Sequence, residues 1–402
     1  MTKAVVIHEI GGPDVLRYED RPVGEPGAGE VRVRHTAIGL NFIDTYQRSG
    51  LYPMQTPFVG GNEGAGVVTA VGPGVDEVQV GDRVAYQGTP GAYAEERIAP
   101  AQRMVRVPDG IADEVAAAIM LKGLTAYYLL FKTWAVQPGE TLLWHAAAGG
   151  TGLIATQWAK ALGATVIGTA GSAEKVALAK AHGCDHVIKY REEDFAERVK
   201  EITGGRGVDV VYDGVGKATF EKSLDCLRPR GLMVSFGNAS GVVSIPDLMV
   251  LARKGSLFVT RPTGNAYLGR REDLLEGADA LFQAVLNGSI KVEIGRKFPL
   301  SEAAAAHRAL EARDTTGSVG KPVGPNDYFP TGQELRFTEA NPTGFRPWSS
   351  QMPPYRLGLG DKLKIKYFLT REMDEDLTVA PDGTIAPRAI GQLRVEGLTL
   401  AA

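Results

Sequence analysis

Residues Thr141–Gly152 read TLLWHAAAGGTG, and the reading of this stretch decides the fold. An apolar run stops in three alanines and two glycines, and an amphipathic segment, LIATQWAKALGA (Leu153–Ala164), follows at once. A strand that ends in small residues and feeds a helix forms an anion site. The unpaired N–H groups of the first helical turn point outward, and the helix dipole favours negative charge. A side chain on the loop would hold a pyrophosphate away. In the frame G-x-G-x-x-G the three positions fall on Ala147, Gly149 and Gly152, with Gly150 and Thr151 in the turn. The first glycine is replaced, so context carries the reading: strand before, helix after, and a second strand, ATVIGTA, at the expected distance. Two later strands also end in glycine, at DGVG and SFGN. They place Gly214, Val215, Phe236, Gly237 and Asn238 on the same carboxyl edge, where such sheets bind ligands.

Outward from this loop the pattern divides. From Gly139 onward, strand-like runs (TLLWH, ATVIGTA, DHVIKY, VDVVYDGV, GLMVSFGN, SLFVTR) alternate with helical stretches, which predicts a doubly wound parallel sheet. Before Lys122 the chain reads as β-rich. EVRVRHTAIGL alternates at period two, and GAGVVTAVGPGV, GDRVAYQG and YAEERIAP are short strands punctuated by Gly and Pro. After residue 264 a mixed pattern returns. The expected fold class is α/β, a parallel-sheet domain (123–264) inserted between two pieces of a β-rich domain (1–122 and 265–321).

The end of the second strand selects the cofactor. NAD sites usually carry Asp or Glu there for the ribose hydroxyls. Here the chain reads GTAGSAEK, with no acid at Thr169, Ala170 or Gly171. Ser172 and Lys175 suit a 2′-phosphate, and Tyr190 after the third strand can reach the same group. NADPH is therefore expected over NADH.

The stretches LNFIDTYQRSGLYP, AAAGGTGLIATQWAKALGA, VIKYREEDFAERVKEITGGRGVDVVYDGVG and SLDCLRPRGLMVSFGNASG occur in that order. Over about residues 1–318 the chain resembles the zeta-crystallin-type NADPH:quinone oxidoreductases of the medium-chain dehydrogenase/reductase superfamily. The resemblance implies a GroES-like catalytic domain, an inserted Rossmann domain and a homodimer. It implies that Asn41, Tyr46 and Tyr52 lie near the nicotinamide and a quinone or enone substrate. Lys122 and Thr125 would touch the nicotinamide end at the domain junction, and Phe236–Asn238 with Val259 and Thr260 would cradle the ring. Zinc-bearing relatives carry Gly-His-Glu where this chain has GGNEGAGVV, with Asn62 at the histidine position. Neither cysteine, Cys184 or Cys226, lies in the β-rich part, so no zinc is expected. The alternative is a non-catalytic NADPH-binding protein, structural or RNA-binding.

Composition bounds the rest. The 402 residues are 44% hydrophobic with net charge −3, so no basic bias points to nucleic acid. Two unpaired cysteines fit a reducing compartment, and MTKAVVIHEI is no signal peptide, so a soluble cytoplasmic protein is expected. VAAAIMLKGLTAYYLLF is interrupted by Lys122 and reads as a buried helix, not a membrane span.

Beyond Gly317 the strand-like ending typical of relatives is expected to be lost at Pro322, leaving any role for Lys321 open. Seven of the 23 prolines fall in 322–354, which reads as a linker. Residues 355–402 carry two strand signals, KLKIKYF and LTVAPDGTIA, the latter with Asp382–Gly383 at a turn. YRLGLGDKLKIKYF and VAPDGTIAPRAIGQLRVEGLTL resemble the N-terminal part of polysaccharide export domains. The tail is expected to be a short β-rich fusion fragment, a remnant of an envelope exporter without transport activity.

Overall fold

The computed structural model describes residues 1–312 and 315–322 (backbone alone for 319–322), and the backbone of four short segments between 362 and 394. It contains two compact units, Met1–Asp327 and Tyr328–Ala402.

The first unit opens with β1 (Thr2–Ile7), β2 (Leu16–Arg21) and β3 (Glu30–Leu40), followed by α1 (Phe42–Arg48). Next come β4 (Phe58–Val59), β5 (Glu63–Val71), β6 (Arg83–Gln87), β7 (Glu96–Pro100) and β8 (Val105–Arg106). The period-two pattern of β3 buries Val31, Val33 and His35 on one face, as its sequence predicts. Then α2 (Asp113–Tyr127) is buried nearly all round: Ala116, Ile119, Met120 and Leu124 are fully enclosed. It packs on β3, β5 and β6 at one side and on the helices of the next domain at the other. By length and composition Asp113–Thr133 could cross a membrane, but most of it lies inside the protein, as the buried-helix reading requires.

The parallel sheet follows: β9 (Thr141–Trp144), α3 (Gly150–Ala161), β10 (Thr165–Ala170), α4 (Ala173–Ala181), β11 (His186–Lys189), α5 (Phe195–Ile202), β12 (Val208–Asp213), α6 (Phe220–Leu224), β13 (Leu227–Ser235), α7 (Met249–Arg253) and β14 (Phe258–Thr260). All pairings are parallel and the order is β11-β10-β9-β12-β13-β14. This is the doubly wound dinucleotide-binding order, with its switch point between β9 and β12. β12, VDVVYD, is buried along its whole length, Asp209 and Asp213 included.

The chain then returns through α8 (Gly264–Leu268), α9 (Arg271–Leu286), β15 (Ile294–Lys297), α10 (Ala303–Glu311) and β16 (Ser318–Pro322). α9 lies against α2, where Gly123 leaves room for Leu281: a Cβ there would sit 2.5 Å from its Cδ1. β16 corrects the expectation of a lost final strand. It pairs with β15 on one side and with residues 37–40 of β3 on the other, in the order β15-β16-β3-β5-β6-β8. Pro322 falls at the strand's last position, where a missing N–H is tolerated.

In the second unit, β17 (Lys362–Ile365) pairs with β18 (Glu375–Thr378), and β19 (Thr384–Ile385) pairs with β20 (Leu393–Arg394). The strand signals are present, and the turn expected at Asp382–Gly383 lies outside the described residues. The linker 322–354 lies almost wholly outside the described residues.

Candidate active site

The glycine loop leaves β9 through Ala146, which takes a left-handed conformation at φ +54°. Thr169 at the end of β10 fixes the turn: its carbonyl accepts the Ala147 N–H at 3.0 Å, and its hydroxyl accepts the Ala146 N–H at 3.2 Å. Gly150, Thr151 and Gly152 form the first turn of α3, with Gly149 as its cap. Gly152 is needed for packing, because a Cβ would lie 2.6 Å from the carbonyl oxygens of both Ala146 and Ala147. Gly150 is needed for a different reason: a Cβ would lie 2.7 Å from Cδ of Lys122, whose stem rests on the loop.

At the next strand end, Ser172 caps α4, accepting the Lys175 N–H at 3.3 Å. Tyr190 lies across Gly171, where a Cβ would be 2.9 Å from the phenol oxygen. Gly171, Ser172 and Tyr190 therefore converge, with Lys175 one turn along the helix. No acidic side chain stands at the end of β10. Further along the edge, Gly214 and Gly237 approach so closely that a Cβ on Gly237 would be 2.3 Å from the Gly214 carbonyl oxygen. The buried Asp213 shapes that loop, accepting the N–H groups of Val215 and Gly216 and the Thr219 hydroxyl at 2.7–3.0 Å.

Across the cleft, α1 presents Tyr46. Its hydroxyl accepts the Asn238 N–H at 3.2 Å, a bond between residues 192 apart. Burial pushes its phenol up to about 12, so the O–H stays protonated. Tyr52 meets Tyr46 edge-on at 5.3 Å. With the Asn238 amide turned so that its oxygen faces donors, that oxygen accepts from Tyr52 Oη at 3.1 Å and Arg261 Nη2 at 3.0 Å. Arg261 also donates to the carbonyls of Ser235 and Gly237 and to the Tyr52 hydroxyl.

Arg261, one residue beyond Val259 and Thr260, belongs to no motif in the sequence. A cation immediately after the last parallel strand was the available signal. Thr125 is tied within its own helix, donating to the Leu121 carbonyl at 2.7 Å. One turn on, α2 ends in a π-helical turn, Tyr128–Thr133, a form frequent at functional sites. Tyr128 stacks on Tyr267 there, their rings 4.9 Å apart and 11° from parallel.

Asn41 caps α1 and is buried. Nδ2 donates to Glu63 Oε2 at 2.5 Å, and Lys122 Nζ reaches the same oxygen at 3.0 Å. Asn62, at the position of a zinc-ligand histidine, is absorbed in an amide network. Its Nδ2 donates to Asp44 Oδ1 and Gln47 Oε1, each at 2.7 Å. Asp44 also accepts the Asn41 N–H and the Tyr93 hydroxyl, although burial pushes its carboxyl up. Amide and carboxylate oxygens already spent on one another, with no thiolate among them and the neighbouring His307 bonded to Tyr93 and Arg48, do not fit Zn²⁺. Among the described residues no cluster of three His, Cys, Asp or Glu side chains suits a metal. Exhaustive chelation should accordingly leave activity intact, and elemental analysis should find no stoichiometric zinc. One zinc per chain, lost together with activity, would overturn this.

A GroES-like barrel and a Rossmann sheet that share a cleft define the medium-chain dehydrogenase/reductase class. Consistent with this, residues 27–109 match the alcohol dehydrogenase GroES-like domain family and 150–274 match the zinc-binding dehydrogenase family. Residues 349–402 match the polysaccharide biosynthesis/export protein family. Within the class, the chain is 55% identical to a quinone oxidoreductase of Pseudomonas aeruginosa, over 79% of this chain and 99% of that one. It is 50% identical to a 2-haloacrylate reductase of a Burkholderia species, over 79% and 98% of the two chains. The crystal structure of Escherichia coli quinone oxidoreductase complexed with NADPH superimposes with a TM-score of 0.79 at 50% identity, covering 80% of this chain and all of that one. The chain belongs to the quinone oxidoreductase family.

Proposed function

We propose that this protein transfers a hydride from NADPH to a quinone or a related conjugated carbonyl compound without a metal. The observation that carries this reading is the junction at Asn238: it follows β13 on the sheet edge that also carries the glycine turn of α3 and the acid-free end of β10, and it bonds Tyr46, Tyr52 and Arg261. The N–H groups of Gly150–Gly152 hold the pyrophosphate, and Ser172, Lys175 and Tyr190 hold the 2′-phosphate. The backbone of Phe236–Asn238, Val259 and Thr260 supports the nicotinamide, with Asn41, Lys122 and Thr125 on the side of the β-rich domain. Bound NADPH supplies the hydride. The chain's own contribution is positioning and charge stabilisation. Tyr46 and Tyr52 bracket a flat substrate, and the Tyr46 O–H, held protonated by burial, donates to the oxygen that gains negative charge. A steady-state assay with NADPH and a panel of quinones and enones tests the reading; absence of turnover with all of them overturns it.

NADPH should bind more tightly than NADH. Lys175→Ala should narrow the gap by about tenfold, the loss of one charged contact of about 1.4 kcal/mol. Equal affinities in the unmodified protein would contradict the assignment. Both cysteines are buried and free, which is compatible with the proposed cytoplasmic location.

A homodimer is the proposed assembly. β14 is an edge strand of the parallel sheet, and Phe258 on it is 59% exposed. Val242, Leu248 and Met249, from the segment before it, are exposed as well. An unpaired edge with exposed apolar side chains is a template for a second copy. Phe258→Asp should convert the dimer to a monomer in sedimentation; an unmodified protein that sediments as a monomer would refute the assembly.

A further inference from the structure

Glu63 holds two of the cleft residues on one oxygen. Oε2 accepts both Asn41 Nδ2 and Lys122 Nζ, while Oε1, in a side chain with no solvent exposure, has no hydrogen-bond partner. The surroundings are built for this carboxylate. Residue 39 is glycine on the facing strand, where a Cβ would lie 2.6 Å from the Glu63 carboxyl. Lys122 is 6% exposed and rests its stem on Gly150 of the phosphate loop. A buried polar atom left unsatisfied calls for an explanation, and in a ligand cleft the ligand is the first one to test.

We propose that Glu63 is the charge-balancing and positioning residue of the nicotinamide end of the cleft. It cancels the charge of Lys122 while holding that side chain and Asn41 in place, and its open oxygen favours positive charge beside it. The proposal rests on the cofactor placement given above. The nicotinamide ring is neutral in NADPH and cationic in NADP⁺, whereas the phosphates are the same in both. A lysine left uncompensated in this buried setting would disfavour the oxidised form alone, because charges interact strongly where water is excluded. The balance therefore lets one site hold both forms of the cofactor across a turnover. Glu63 touches its neighbours and not the reacting atoms, so its effect is read in the ratio of the two affinities.

The test is titration of the full-length protein, its Glu63→Gln and Lys122→Met variants and the double variant with NADP⁺ and with NADPH, by calorimetry and by fluorescence. Glu63→Gln should raise the ratio Kd(NADP⁺)/Kd(NADPH) by about tenfold. Lys122→Met, which leaves the carboxylate unbalanced, should move the ratio several-fold in the opposite direction. The double variant should return within about threefold of the original. A merely structural role would weaken both forms in parallel, and an unchanged ratio in both single variants overturns the proposal. If Glu63→Gln does not fold, as thermal melting would show, the sign of the Lys122→Met shift decides alone. Failure of the unmodified protein to bind either form would refute the cofactor placement, and this proposal with it.

Discussion

A chain ended after Gly324 will bind NADPH and reduce quinones within about twofold of the full-length protein, whereas one ended after Thr316 will lose both. The difference lies in β16. Between those two points β16 lies between β15 and β3 and ties β15 to the rest of the sheet. Residues 37–40 of β3 would lose their partners on one side, and each buried backbone group left unpaired costs about 1–3 kcal/mol. Ser318 adds two bonds, its N–H to the Glu293 carbonyl and its hydroxyl to the Ala118 carbonyl at 3.0 Å. Gly317 bridges to Gly149, and its N–H donates to the Ala148 carbonyl, so this segment also buttresses the phosphate loop. Losses of this size compare with the whole stability of a domain, about 5–15 kcal/mol. The stretch beyond Gly324 is proline-rich and aperiodic in sequence, and limited proteolysis of the full chain should cut between Gly324 and Tyr355 and release a body that still binds NADPH. If the chain ended at Gly324 fails to bind NADPH, the export-like tail is a structural part of the enzyme and not an appended fragment.

What was legible in the sequence was local. The parallel sheet announced itself because each βα unit carries its own periodicity, and the glycine loop because its turn, helix start and strand lie within a dozen residues. The poor fit to zinc followed from one residue, Asn62, and the position of two cysteines. What stayed hidden depends on distance along the chain. The Tyr46–Asn238 bond joins residues 192 apart, and the Lys122–Glu63 pair spans 59. No local pattern records either of them. β16 was read as broken because Pro322 interrupts it, yet its partner in β3 lies some 280 positions earlier and imposes the strand from outside. Asn41 adds a third case: its amide bonds Glu63, 22 positions on, a contact that no local motif marks.

Of the substitutions in the glycine loop, Gly152→Ala will be far more damaging than Gly150→Ala, although both add one methyl group to the same helical turn. At Gly150 the nearest obstacle is Cδ of Lys122, a side-chain stem that can bend while its ammonium stays on Glu63, with the Gly317 carbonyl oxygen at 3.2 Å beyond it. NADPH affinity should fall about three- to tenfold there, with little change in Tm. At Gly152 the obstacle is backbone: the carbonyl oxygens of Ala146 and Ala147 at 2.6 Å and the Ala147 carbonyl carbon at 2.8 Å. Those atoms cannot yield without moving the turn that Thr169 fixes to β10, and Ala146 already occupies a conformation that side chains disfavour. The start of α3 would have to withdraw from the strand, and the pyrophosphate donors would move with it. A displacement near 1 Å at such a site costs on the order of a hundredfold. Gly152→Ala should therefore weaken NADPH binding by about a hundredfold or more and lower Tm by several degrees. Titration and thermal melting of the two variants side by side check the contrast. Equal losses at the two positions would mean that the loop adapts freely, and that the close contact of α3 with its strand is not what holds the phosphate site.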